Sequence, residues 1–199
     1  MAFLAIYLAL RTFEYFSFRT DINFLRVRQE LIEQPLWKIS FYLHISGALL
    51  ALAAGSVQFF PWLRRKHLKL HKILGKLYAL GIFIGAPTGL YLAVFARGGT
   101  FAQIGFVALD LVWIYTTYRG VYAIMVKKNQ PEHREWITRS YAVTFAAVTL
   151  RIWVPILSLG FGLSESTVLT LTPWLSWIPN LIAAELILLY TDKRKLSHS

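Results

Sequence analysis

Residues Trp37–Phe60 read WKISFYLHISGALLALAAGSVQFF, and after Lys38 the stretch carries no Asp, Glu, Lys or Arg. A helix of that length reaches about 36 Å at ~1.5 Å per residue, more than the ~30 Å hydrocarbon core of a bilayer. A soluble core helix has no need of so long an uncharged run. Working outward, four further blocks repeat the pattern: Leu74–Phe95, Phe101–Met125, Trp136–Ser158 and Pro173–Tyr190. The opening residues 1–18 are apolar to Leu10 and then meet Arg11 and Glu14. They lack the basic start and small-residue cleavage site of a signal peptide and read as a short or partial first span. The expected fold is therefore all-α: an integral membrane helix bundle of five full transmembrane helices plus that N-terminal piece. Residues 1–199 form one multi-pass membrane domain.

Composition agrees. Hydrophobic residues make up 56% and charged residues 16% of the 199-residue chain, against roughly 45–50% and about 25% in soluble globular proteins. There is no cysteine, which excludes disulfides, Cys-ligated zinc, iron–sulfur clusters and c-type haem attachment. Any redox cofactor would be held by one of five histidines or two methionines. The net charge is +11, but the basic residues sit in short connections between apolar blocks, where they set topology and meet anionic lipid headgroups rather than nucleic acid. Fourteen Lys and Arg fall in Arg64–Lys76, Arg119–Arg139 and Lys193–Lys195, on one face; the opposite face holds six, at Arg97 and within Arg11–Lys38. The basic face is expected to be cytoplasmic, with the C-terminus inside. Pro131, with Glu132 and Glu135 close behind, marks the first turn of a helix.

Stripes of small and polar residues mark the faces where helices meet. His44, Gly47, Ala48, Ala51, Ala54, Gly55 and Gln58 share one face, Gly81, Gly85 and Gly89 another, and Ser140, Thr144, Ala147 and Arg151 a third. Close packing explains the small residues; it does not explain a histidine, an arginine and a glutamine among them. His44, Arg151 and Asn180 each lie seven residues inside a span end, a depth of ~10 Å, and Asp110 lies near ~14 Å. These four are candidates for a polar pocket in the outer half of the membrane, suited to an anionic or quinone-like headgroup. An isolated charge near a span centre costs roughly 2.5–3.5 kcal/mol on insertion scales, so the alternative is a buried Arg151–Asp110 pair that steadies the bundle.

A second cluster gathers at the cytoplasmic end: His67 and His71 at i,i+4 spacing, His133 in the first turn of its helix, Gln58, and Glu185 at the limit of its reach. His71 and His133 are candidate ligands of b-type haem. His67, His71 and His133, with Glu132 or Glu135, are the weaker alternative of a zinc site.

The runs His44-Ile-Ser-Gly47, Gly55-Ser-Val-Gln58-Phe59, His71-Lys-Ile-Leu-Gly75-Lys-Leu-Tyr78, His133-Arg-Glu-Trp136-Ile-Thr-Arg139-Ser-Tyr141, Ala147-Val-Thr-Leu-Arg151 and Trp177-Ile-Pro-Asn180 together resemble a family of predicted bacterial membrane proteins, domain of unknown function 2306. The resemblance covers roughly residues 37–189. Lys72 stands where that family commonly has arginine, and Ser56 where proline is usual. The resemblance implies a multi-pass topology in a bacterial inner membrane and makes His44, His71, His133, Arg139 and Arg151 parts of the pattern. It carries over no catalytic residue.

Three functional readings lead, with transport or lipid binding as the remainder. The favoured one is an accessory or scaffold subunit of a larger membrane complex, without catalysis, packed against other membrane subunits. The alternative is an electron-transfer protein with histidine-ligated haem b, linked to quinone. The second alternative is a membrane zinc hydrolase. No phosphate loop or nucleotide fingerprint is present.

Overall fold

The computed structural model describes residues 12–196, apart from the side chains of residues 23, 24 and 192–196. Residues 1–11, most of the expected partial span, and the end of the tail lie outside the described residues. Every regular element among those described is helical. Among the described residues, five helices are long and apolar enough to cross a membrane: Pro35–Gln58, Leu68–Ala93, Gly99–Met125, Gln130–Gly160 and Glu165–Thr191. All five expected spans are there. Three begin well before their apolar blocks, at Leu68, Gln130 and Glu165, because helix formation does not stop where hydrophobicity does. Lys69 and Lys72 are good helix formers that carry the Leu68–Ala93 helix into the polar region ahead of Leu74. The Ser164 side chain accepts from the Thr167 N–H at 3.3 Å and starts the fifth ahead of Pro173.

The chain divides into two compact units, Met1–Ala96 and Arg97–Ser199. In the first, a single turn α1 (Gln29–Ile32) leads into α2 (Pro35–Gln58), a short amphipathic α3 (Pro61–Lys66) and α4 (Leu68–Ala93). Helices α2 and α4 form a hairpin packed through the expected glycine stripes. A Cβ built on Gly81 would stand 2.6 Å from the Gly47 carbonyl oxygen and 3.0 Å from the Ala51 nitrogen. The two backbones are therefore in direct contact. At the end of the hairpin where α2 starts and α4 stops, Tyr15, Leu25, Ile32, Trp37 and Phe41 are buried together, with Tyr91, Leu92 and Phe95 packed around them. Trp37 stacks on Phe41 at 5.4 Å, and Tyr15 meets Phe41 edge-on at the same separation. The segment before α2 thus folds back on the hairpin; a 3₁₀ turn at Glu14–Ser17 ends with Phe18 in the left-handed region at φ 56°.

The second unit contains α5 (Gly99–Met125), α6 (Gln130–Thr144), α7 (Ala146–Pro155), α8 (Glu165–Leu175) and α9 (Ile178–Leu196). Helix α5 packs on α6 and α8, α6 on α9, and α7 on α8. Asn129 caps α6, its Oδ1 accepting from the Glu132 N–H at 3.1 Å, with Pro131 in the first turn as expected. The fourth span breaks at Phe145 between α6 and α7 and ends in a π turn, Ile156–Gly160, directly after Pro155. The fifth breaks at Ser176–Trp177, just before Pro179, which has no N–H to offer the preceding turn. Gly98, at φ 102°, lets α5 begin against α8: a Cβ there would lie 2.6 Å from the Leu169 carbonyl oxygen, the one that Pro173 leaves without a helical donor.

Candidate functional site

Polar side chains in the second unit collect along the α5–α6 contact. Asp110, Trp113, Thr117 and Gly120 recur at helical spacing on α5, opposite Thr144, Ser140 and His133 on α6. The Trp113 indole N–H donates to Thr144 Oγ1 at 2.8 Å, and Thr144 donates to the Ser140 carbonyl at 3.0 Å. Thr117 donates to the Trp113 carbonyl at 2.7 Å, so the Ser140 hydroxyl, 2.7 Å from Thr117 Oγ1, is the donor in that pair. One turn further, His133 Nδ1 lies 2.7 Å from the Gly120 carbonyl oxygen. A carbonyl only accepts, so Nδ1 carries the proton and donates it. Hydroxyl protons are directed along this ladder to a backbone carbonyl or to a neighbour, which locks the register of two helices.

The break in the fifth span is closed in the same way. The Ser176 carbonyl accepts from the Asn180 amide at 2.9 Å and from the Thr149 hydroxyl, while Asn180 Nδ2 also reaches the Ala142 carbonyl at 3.2 Å and Thr149 Oγ1 at 3.0 Å. A broken helix survives at membrane depth when side chains satisfy its backbone.

Toward the other end of α6, Trp136 lies between two guanidinium groups, Arg119 at 4.6 Å and Arg139 at 4.8 Å from its ring centre. Arg139 binds both carboxylate oxygens of Glu185 on α9, at 2.6 and 2.9 Å. Glu132 accepts from Lys127 at 3.0 Å and from Arg119 at 3.4 Å. The first unit holds a simpler arrangement: His44 Nδ1 donates to the Gly85 carbonyl across the glycine contact at 2.8 Å, and the Gln58 amide donates to the His71 carbonyl at 3.1 Å.

These positions correct one expectation. Arg151 and Asp110 form no ion pair among the described residues. Asp110 is buried, its Oδ1 without a hydrogen-bond partner, whereas Arg151 is exposed and donates to the Ala147 carbonyl, one turn back on its own helix, at 2.7 Å. The reason is the break at Phe145, after which α7 packs on α8, while α5 lies on α6 and α8. Of the four residues expected to share an outer pocket, Asn180 is engaged at the helix break, and His44 belongs to the other unit from Asp110, Arg151 and Asn180. His71 and His133 are likewise in different units. His67 is exposed, with its ring 4.3 Å from that of Trp62. Among the described residues no group of three His, Asp or Glu side chains has the spacing of a metal site.

Sequence reasoning missed the ladder and the Arg139–Glu185 pair. The ladder was within reach, since Trp113 and Thr117 continue the helical stripe that starts at Asp110. The ion pair was not, because its partners are 46 residues apart on helices whose rotation only packing sets.

Hydrophobic helices long enough to span, glycine-mediated helix contact and polar side chains bonded from helix to helix define an all-α multi-pass membrane protein. Residues 41–188 match the model of the family described as "Predicted membrane protein (DUF2306)", and the chain belongs to that family. No curated protein and no solved structure matches it.

Proposed function

We propose that this protein is a non-catalytic accessory or scaffold subunit of a larger membrane assembly. The observation that carries this reading is the use made of its polar side chains within the spans: His44, His133, Ser140, Thr144, Asn180 and Arg139 all serve helix-to-helix contacts. Apart from Arg151, the outward surface of the spans carries mainly large apolar side chains such as Leu36, Ile39, Leu186 and Ile187. The basic Arg64–Lys76 connection faces the cytoplasm in this reading and rests on anionic headgroups, and the membrane is the inner membrane of a bacterium.

The test is size and stoichiometry after mild solubilisation. The chain should migrate as a discrete particle well above 22.8 kDa, with a second polypeptide at constant ratio through two successive separations. A monodisperse single-chain particle would overturn the reading.

One observation favours b-type haem as a second reading. His133 directs its Nδ1–H to a backbone carbonyl, the arrangement that orients a metal-binding imidazole and leaves Nε2 to ligate. Haem binding through His133 predicts a Soret band and a reduced b-type spectrum, lost in His133→Ala and retained in His198→Ala. A colourless protein eliminates it.

A further inference from the structure

At the end of the hairpin opposite the basic α3 connection, the first unit holds an open cleft of about 600 Å³, lined by Arg26–Leu31 and Phe95. Its chemistry is divided. Arg26 and Arg28 bring two cations and Glu30 one anion, leaving a net charge of +1. Val27, Leu31 and Phe95 supply an apolar wall continuous with the aromatic cluster around Trp37 and Phe41. The neighbouring acid Asp21 binds Arg19 through both oxygens, at 3.0 and 2.7 Å, and reaches Arg26 through its charge alone. Among the described residues no hydrogen bond or ion pair engages the Arg26 guanidinium, which is exposed. The floor is held in place: the Gln29 amide ties the segment to the carbonyls of Thr20 and Leu25 at 2.6 and 3.0 Å.

The cleft's depth is fixed by the helices beside it. Pro35 opens α2 three residues beyond α1, and Phe95 lies two residues past the end of α4. Both are ends of membrane-spanning helices, so the cleft stands at the boundary between hydrocarbon and water. A planar guanidinium binds phosphate oxygens in a bidentate fork, and an apolar wall at that depth suits the start of an acyl chain.

We propose that this cleft is a binding site for an anionic phospholipid, with Arg26 and Arg28 on the phosphodiester and Val27, Leu31 and Phe95 against the first carbons of a chain. The single surplus positive charge matches the single negative charge of a phosphatidylglycerol headgroup.

Detergent-purified full-length protein is titrated with phosphatidylglycerol, with phosphatidylcholine and with inorganic phosphate, and bound molecules are counted by native mass spectrometry. One phosphatidylglycerol should be retained in preference to phosphatidylcholine, and inorganic phosphate should not bind. Losing one charge-assisted contact in Arg26→Gln should weaken retention by about tenfold. Arg26→Gln/Arg28→Gln should weaken it further, and Lys66→Gln, at the other end of the hairpin, should leave it unchanged. Arg26 is exposed, so that variant folds whatever happens at the half-buried Arg28. Equal retention by wild type and Arg26→Gln would overturn the proposal, as would equal retention of the two lipids. Phosphate bound without lipid would overturn the lipid assignment.

Discussion

Placing a methyl group at Gly81 tests the contact that organises the first unit. The new Cβ would lie 2.6 Å from the Gly47 carbonyl oxygen, where a carbon–oxygen contact settles at about 3.3–3.6 Å. Neither atom is on a flexible side chain, so α2 and α4 must separate by ~0.7 Å to reach that range. A gap of this size forfeits about a quarter to a half of the dispersion well at every contact along the pair. It also stretches the hydrogen bond from His44 to the Gly85 carbonyl, now 2.8 Å, and such bonds within membranes are worth ~0.6 kcal/mol on average. Overpacking alone costs about 1–3 kcal/mol, offset by up to ~1 kcal/mol of alanine helix propensity, so the expected destabilisation of Gly81→Ala is roughly 1–3 kcal/mol. Gly75, on the same helix, is the internal control. A Cβ there meets only Gln58 Nε2, at 3.5 Å, and alanine should gain up to ~1 kcal/mol from helix propensity. Reversible unfolding of the two variants in mixed micelles of rising SDS fraction measures the difference. If Gly81→Ala unfolds at the same SDS fraction as Gly75→Ala, the backbone contact is not what holds this hairpin.

Three further outcomes are expected. Single cysteines at positions 72 and 127 should resist labelling from outside intact cells while those at 97 and 164 are labelled; the native chain offers no background thiol, and the reverse pattern refutes the orientation. Glu185→Gln should cost about 1–2 kcal/mol, the lower part of the range for bonds to charged groups because the carboxylate is 43% exposed; a cycle with Arg139→Gln that shows no coupling in SDS titration refutes the pairing. Arg151→Ala and Asp110→Asn should add to within ~0.5 kcal/mol, as unlinked sites do, and a coupling larger than ~1 kcal/mol in the same unfolding assay would restore a contact between them.

Hydropathy alone determined the number and approximate placement of the spans. A membrane helix must satisfy its own backbone and face lipid along most of its length, and both demands are written locally in the residues. The glycine stripes were legible for a similar reason: a contact surface on one helix recurs every three or four residues, so Gly81, Gly85 and Gly89 announce it without a partner. Tertiary structure was needed wherever a side chain had a choice of partner. Arg151 and Asp110 look paired by depth, yet the break at Phe145 carries α7 onto α8, and a carbonyl of its own helix captures the guanidinium. Arg139 finds Glu185 across 46 residues, and Asn180 closes a break behind Pro179 instead of lining a pocket. Period and composition specify which face of a helix is sticky; the axial rotation and breaks that bring two such faces together come from packing between segments distant in sequence, and only the folded chain contains them.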